Sequence, residues 1–225
     1  MIKRVSFSGI DQWTKTAELK ALYQKYPFVE FVFLLSDNQK AGNRYPRPVM
    51  LKAYKKLSLP MAVHLCGKAA MDLIHTNDWN PVLSMLGNSW NLFDRIQINI
   101  PKTKRFSREL TFPEDKKIII QLHEGTEEFF RHYQHLPNVQ GFQDGSGGRG
   151  VACSEWMEPQ TAFFGYAGGI GPENVVEAVA AISSVCPGDF WIDMESSIRT
   201  NDKFDVKKCE AVCRNLTQAG LIAAE

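Results

Sequence analysis

The chain has 225 residues, of which 44% are hydrophobic and 23% charged, and its formal net charge is +1. This composition is typical of a globular protein, excludes a disordered chain, and is long enough to bury a sizeable core. The near-neutral charge predicts no general attraction to nucleic acid or to a membrane surface, and no apolar run reaches membrane-spanning length.

Apolar runs that predict buried strands alternate along the chain with amphipathic runs that predict helices. The predicted strands are Arg4–Phe7, Val29–Leu35, Met61–Leu65, Phe93–Ile98, Lys117–Leu122, Val139–Gln143, Phe163–Ala167 and Phe190–Met194. The predicted helices are Thr16–Tyr26, Val49–Leu57, Ala69–Ile74, Trp79–Leu86, Lys104–Leu110, Thr126–His135, Pro172–Val185 and Val206–Ala219. Eight alternations without a dividing linker predict the α/β class and a (β/α)8 TIM barrel, with one domain over residues 1–225.

The five cysteines are odd in number, and their spacings match no zinc-binding pattern. Cys209 and Cys213 lie one helical turn apart, which suits a packed helix better than a pair of metal ligands. The apolar start of the chain is too short for a signal peptide. We therefore expect a cytoplasmic protein with reduced thiols, without nucleic-acid or membrane partners, and either monomeric or homodimeric.

Polar residues follow nearly every predicted strand, at the barrel end where such folds carry their active sites. These strand-end residues are Ser8, Asp11, Arg44, His64, Gln97, Asn99, His123, Glu124, Asp144 and Asp193. Two of them, Asp11 and Asp193, could instead cap turns or helices. The sequence alone therefore predicts a functional rim of which only part is catalytic.

The stretch from Phe163 to Val176 reads as a buried strand, a tight turn at Gly168 and Gly169, and the start of a helix. Such a turn presents backbone N–H groups at a helix N-terminus, where the helix dipole favours an anion. A second polar turn, Glu195–Ser197, follows the last predicted strand. In a (β/α)8 barrel these last two loops commonly bind phosphate.

Several short sequence motifs give a more specific indication of the class of protein. Ala167-Gly168-Gly169-Ile170 followed by Pro172-Glu173-Asn174-Val175 is close to Ala-Gly-Gly-Leu-x-Pro-x-Asn-Val. Other matches, in chain order, are Phe7-Ser8-Gly9-Ile10, Asn43-Arg44-Tyr45, Gln97, Gln143-Asp144 with Gly147-Gly148-Arg149-Gly150, and Asp193–Ile198. In order and spacing they resemble the motifs of the phosphoribosylanthranilate isomerases of tryptophan biosynthesis.

The resemblance implies an Amadori rearrangement, in which a phosphorylated, carboxylate-bearing aminoaldose opens to an imine and becomes an aminoketose. It implies neither a metal nor an organic cofactor. It also implies that Asp144 is the acid, that Arg44 binds the substrate carboxylate, and that Gln97 contacts substrate. The implied phosphate-binding residues are Gly148, Gly168, Gly169, Ser196 and Ser197.

The sequence departs from the family pattern at the catalytic base, where the family cysteine is replaced by Ser8. A serine hydroxyl is far less acidic than a thiol and needs a partner base. His64, with an unperturbed pKa of about 6.5, could supply that base, so we expect the base to be Ser8 or His64. The family's glycine in the last loop is Ser197, and its final glutamate is Arg199, which we expect to add positive charge near the phosphate.

Two alternatives remain open at this point. A metal-dependent sugar-phosphate epimerase or lyase would be indicated if His64, His123, Asp144 and Asp193 converged, because these are suitable metal ligands. A non-catalytic barrel that keeps the phosphate site and binds a metabolite would account for the missing cysteine.

Overall fold

The computed structural model describes residues 1–36, 44–46, 48–103, 105–144, 153 and 155–222. Eight parallel strands form a closed barrel in sequence order, which confirms the predicted (β/α)8 class. They are β1 (Ile2–Ser8), β2 (Val29–Ser36), β3 (Met61–Cys66), β4 (Arg95–Ile98), β5 (Lys117–Leu122), β6 (Val139–Asp144), β7 (Phe164–Ala167) and β8 (Phe190–Met194).

The described helices pack around the barrel. They are α1 (Thr16–Lys25), α2 (Gly67–Thr76), α3 (Asn80–Leu86), α4 (Glu127–Tyr133), α5 (Val175–Val185) and α6 (Val206–Gln218). Short 3₁₀ turns occur at Pro48–Ala53, Gly87–Leu92 and Ser196–Ile198, and a small antiparallel pair, β9 (Arg199–Thr200) and β10 (Lys203–Phe204), follows β8.

Two predicted helices are wrong. Val49–Leu57 contains only the 3₁₀ turn Pro48–Ala53, and the described residues of Lys104–Leu110 form a turn and irregular chain. In the second segment, backbone N–H groups donate to neighbouring helices and not to the preceding turn. Ser107 N donates to Ile74 O at 2.6 Å, and Leu110 N donates to the Tyr133 hydroxyl at 3.1 Å. These bonds to α2 and α4 override a weak local helix preference.

The strands bury both faces. Alternate residues such as Phe31, Phe33 and Leu35 belong to the large cluster between barrel and helices. A separate cluster fills the barrel interior, where the rings of Phe142 and Trp191 stack with centroids 4.8 Å apart. Gly165 lies against both rings, so a Cβ at that position would overlap the indole.

The interior near the amino-terminal ends of the strands is closed by a paired charge cluster. Arg95 Nη1 lies 2.6 Å from Glu30 Oε2, and both side chains are 2% exposed. Glu30 also accepts from Arg4 Nη1 at 3.0 Å and from Ser6 Oγ at 2.7 Å. The guanidinium of Arg95 lies 4.1 Å from the centre of the Trp191 ring, so this end of the barrel is plugged.

Candidate active site

A small cavity lies at the carboxyl ends of β6, β7 and β8. It is lined by Asp144, Ala167, Gly168, Gly169, Ile170, Asp193, Met194, Glu195, Ser196 and Ser197. The structure therefore brings together five residues that the sequence analysis assigned to catalysis or phosphate binding. Gly148, the remaining predicted phosphate ligand, lies outside the described residues.

The turn after β7 has the backbone conformation that its glycines predict. Gly168 has φ +132° and Gly169 has φ +66°, a region that side-chain-bearing residues rarely adopt. Asn174 fastens the turn: its Oδ1 accepts from Gly171 N at 2.8 Å, and its Nδ2 donates to Gly169 O at 3.0 Å. α5 begins at the next residue, and its first N–H group, Val175 N, donates to Gly171 O at 3.0 Å, so the start of the helix is tied to the residues that follow the glycine turn.

The loops after β7 and β8 are joined directly. Ser197 Oγ donates to Ile170 O at 2.5 Å, so the hydroxyl of Ser197 is bound to a backbone carbonyl, and its predicted role in phosphate binding would fall to its backbone N–H group. The amide groups of the glycine turn and the Ser196 hydroxyl remain as the polar groups of the cavity that suit an anion.

Arg44 lies over the loop that follows β8. Its Nη1 donates to Glu195 Oε1 at 2.8 Å and its Nε to Asp202 Oδ1 at 2.9 Å. Glu195 lines the first cavity and places a carboxylate in the wall of the predicted anion site. Arg44 balances that charge, so its guanidinium must leave Glu195 or Asp202 to bind a substrate carboxylate in a bidentate way.

A second cavity of about 490 Å³ adjoins the first at Glu195. Its other lining residues are Leu34, Arg44, Tyr45, Cys66, Asn99, Ile100, Pro101, Gln121 and His123. Burial raises the pKa of Tyr45 and of Cys66 to about 12 each, so the phenol and the thiol are both neutral at physiological pH. The cavity therefore offers mainly neutral surface beside the ion pair of Arg44 and Glu195, with room for the rest of a substrate.

The two carboxyl groups of the first cavity have different partners. Asp144, which is 5% exposed, accepts a hydrogen bond from Gln121 Nε2 at 2.7 Å. Asp193, which is 7% exposed, accepts from Ser8 Oγ at 2.5 Å. Burial raises the pKa of Asp193 well above its usual range, and the carboxylates of Glu195 and Asp144 add to that rise.

The remaining predicted residues, Ser8, His64 and Gln97, lie inside the barrel and do not line either cavity. Burial, together with the charge of Arg95, lowers the pKa of His64 to about 3, so its imidazole is neutral at physiological pH. Gln97 Nε2 donates to Asn99 Oδ1 at 2.7 Å, and within the described part of the chain Gln97 Oε1 is buried without a partner.

Two rim residues have structural roles. The Asp11 side chain is fully buried and accepts from Phe204 N at 2.7 Å and from Arg199 Nη2 at 2.9 Å. Arg199 also donates to Gly9 O at 2.6 Å. The expectation that Arg199 adds charge at the phosphate is therefore wrong, because its buried guanidinium ties the loop after β8 to the loop after β1.

The metal-dependent alternative gains no support from the geometry. Within the described ranges, no three His, Cys, Asp or Glu side chains converge in a way that could hold a metal ion. The two ring nitrogens of His123 lie 2.9 Å from Ile100 O and 3.0 Å from Glu124 O, so this imidazole holds loop backbone. None of the helices described for this chain has the length and apolarity needed to cross a membrane.

Sequence reasoning missed the contact between Ser8 and Asp193 and the pairing of Arg44 with Glu195. The sequence could have predicted the first contact. Closure of an eight-stranded barrel makes the first and last strands neighbours, and both residues lie near the carboxyl ends of those strands. The second depends on side-chain reach between two loops, for which the sequence carries no pattern.

Fold and site together define a (β/α)8 barrel with a carboxylic acid on its sixth strand beside a glycine-turn cavity formed by its last two loops. Residues 90–215, more than half of the chain, match the family model described as N-(5'-phosphoribosyl)anthranilate isomerase. The chain belongs to this family of isomerases, which confirms the resemblance seen in its motifs.

Solved structures of the same family share the fold. The chain aligns with the phosphoribosylanthranilate isomerase of Thermotoga maritima at 16% identity and a TM-score of 0.60, covering 96% of this chain and 99% of that one. For the Pyrococcus furiosus enzyme the identity is 13% and the TM-score 0.57, covering 96% and 98%. For an isomerase in complex with reduced 1-(o-carboxyphenylamino)-1-deoxyribulose 5-phosphate, the identity is 14% and the TM-score is 0.58. That alignment covers 97% of this chain and 100% of the other. No curated protein matches the chain.

Proposed function

We propose that this chain catalyses an Amadori-type isomerisation of N-(5'-phosphoribosyl)anthranilate, or of a closely related phosphorylated aminoaldose that bears a carboxylate. Membership of the isomerase family supports the reaction class. The observation that supports the assignment most strongly is that Asp144 shares one cavity with the Gly168-Gly169 turn and Ser196. An acid and a phosphate-binding turn are then within reach of the two ends of one small sugar phosphate.

Substrate binding would use both cavities. The phosphate would accept hydrogen bonds from the backbone N–H groups of Gly168 and Gly169 and from the first turn of α5. The carboxylate-bearing ring would occupy the larger cavity beside Tyr45, with its carboxylate on Arg44. Arg44 would release the carboxylate of Glu195 or Asp202 and bind the substrate carboxylate, so one ion pair would replace another.

The first chemical step would be opening of the furanose ring. Asp144 would donate a proton to the ring oxygen, the bond between that oxygen and the anomeric carbon would break, and the nitrogen lone pair would form a cationic imine. Gln121 holds one oxygen of Asp144 at 2.7 Å, which orients the carboxyl group toward the cavity. A base must then remove the proton from the adjacent carbon.

Further properties of this chain follow as proposals. The Thermotoga maritima relative is described as monomers of a dimeric enzyme, and we propose a monomer or homodimer here. A cytoplasmic location, a single domain, and a small phosphorylated substrate with no nucleic-acid partner remain part of the proposal.

The test is a fluorescence assay that follows consumption of N-(5'-phosphoribosyl)anthranilate by the purified chain. We expect turnover by the wild type, and a decrease in kcat of about 10²- to 10⁴-fold for Asp144→Asn, the range for loss of a general acid. The matched control is Asp189→Asn. Asp189 is an exposed carboxylate that directly precedes β8, at the end of the strand opposite to the cavity. Ligand binding without turnover in the wild type would contradict the proposal and favour a non-catalytic barrel.

A further inference from the structure

The position of the missing family cysteine has a partner that the motifs do not reveal. Ser8 is fully buried at the end of β1, and its hydroxyl donates to Asp193 Oδ1 on β8 at 2.5 Å. A neutral hydroxyl is a very weak base, so the serine oxygen is by itself a poor acceptor for a proton from carbon. The functional atoms nearest to Ser8 that can accept a proton are therefore the carboxylate oxygens of Asp193.

His64 is a weaker candidate on two grounds. It does not line either cavity, whereas Asp193 lines the cavity that contains Asp144 and the glycine turn. Its pKa is lowered to about 3 by burial and by the charge of Arg95, so a proton taken by this imidazole would be held very weakly. An efficient general base instead has a pKa nearer to the working pH.

We infer that Asp193 is the general base of this enzyme and that Ser8 is the residue that positions it. This inference rests on the proposed isomerase function. Asp193 takes the proton from the carbon next to the imine, the C–H electron pair forms a C=C bond, and the C=N electrons return to nitrogen. The product of the step is a neutral enolamine and a protonated Asp193, so no oxidant or further reactant is required.

The electrostatic setting suits this step. Asp144, Asp193 and Glu195 line one cavity, and a cationic imine formed between them would be stabilised by the carboxylates that remain ionised. Burial raises the pKa of Asp193, which makes its carboxylate a stronger base than an exposed aspartate. The cationic imine lowers that pKa again at the stage where the base must be ionised.

The main experiment compares substrate carrying deuterium at the sugar carbon that loses its proton with unlabelled substrate. For Asp193→Asn we expect kcat to fall by about 10²- to 10⁴-fold and the primary kinetic isotope effect to exceed that of the wild type, because proton abstraction becomes rate-limiting. For Asp144→Asn we expect a similar fall in kcat without the larger isotope effect. Asp189→Asn is the control for both variants, and thermal unfolding of each confirms a folded protein.

A second measurement tests Ser8 through the pH dependence of kcat/KM. The Ser8 hydroxyl stabilises the ionised carboxylate, so Ser8→Ala raises the pKa of Asp193 and moves the acidic limb of the profile to higher pH. Ser6→Ala, a hydroxyl on the same strand that donates to Glu30 instead, should leave the limb in place. Within the described part of the chain, the other charged groups that act on Asp193 are Asp144, Glu195, Glu30 and Arg95.

The possible outcomes distinguish failure of the base assignment from failure of the proposed isomerase function. A larger isotope effect in Asp144→Asn than in Asp193→Asn would assign the base to Asp144 and overturn the inference. An active wild type with an equally active Asp193→Asn variant would overturn the inference alone. A wild type that binds reduced 1-(o-carboxyphenylamino)-1-deoxyribulose 5-phosphate but never turns over substrate would overturn the isomerase function, and the assignment of the base with it.

Discussion

The two ends of the barrel interior both contain buried charges, but they pair them differently. Near the amino-terminal ends of the strands, Glu30 accepts from Arg4, Ser6 and Arg95, so its charge is balanced within the barrel. Near the carboxyl ends, Asp144 and Asp193 face one cavity and accept from a neutral amide and a neutral hydroxyl. The first arrangement suits a rigid plug, and the second places two carboxyl groups at a cavity where a bound substrate can reach them.

The largest expected effect comes from breaking the plug. Glu30→Gln leaves the Arg95 guanidinium buried without its carboxylate, and we expect the free energy of unfolding to fall by about 3–5 kcal/mol. Urea denaturation measures this change. Glu18→Gln is the control, because its ion pair with Lys15 is exposed and contributes about 1 kcal/mol or less. A loss below about 1 kcal/mol for Glu30→Gln would contradict the proposed contrast between the two ends.

An intermediate effect is expected at the mouth. Glu195→Ser removes a carboxylate from the cavity wall and releases Arg44 from one of its two acidic partners. We expect affinity for inorganic phosphate, measured by titration calorimetry, to rise about tenfold, which corresponds to about 1.4 kcal/mol. Glu114→Ser, an exposed position before β5, should leave the affinity unchanged. Unchanged or weaker binding by the Glu195 variant would place the anion elsewhere.

The smallest effect is expected outside both interior regions, at the start of α6. Asp205 Oδ1 accepts from Lys207 N at 3.0 Å and from Lys208 N at 3.4 Å, which makes it the N-cap of the helix. Asp205→Ala should therefore lower stability by about 1 kcal/mol in thermal unfolding. Asp205→Asn, which keeps an accepting oxygen, is its control. A loss of stability as large as that of Glu30→Gln would show that the buried ion pair in the barrel contributes no more to stability than a helix N-cap at the surface.

The fold could be read from the sequence largely because barrel strands are buried on both faces. The bounds predicted for Lys117–Leu122 and Phe190–Met194 are those observed, since short, mostly apolar runs rich in β-branched and aromatic residues favour a buried strand. Lys104–Leu110 was predicted as a helix because local propensity cannot anticipate hydrogen bonds to Ile74 and Tyr133, which come from elsewhere in the chain.

The candidate site was only partly accessible to the same reasoning. The glycine turn and Asp144 stand at strand ends, and strand ends converge in any closed barrel. The pKa of His64 could not be anticipated, because it depends on burial and on the charge of Arg95, which the chain pattern does not report. The pairing of Arg44 with Glu195 likewise depends on the positions of two loops.

The hydrogen bond between Ser8 and Asp193 joins residues 185 positions apart. These two side chains become neighbours only when the last strand docks against the first, so an incomplete ring retains Asp144 and the glycine turn but lacks the assigned proton acceptor beside β1. Turnover would thus report completion of the ring: during refolding, phosphate binding and catalysis should recover at different times, and the delay between them would measure how long the final seam takes to close.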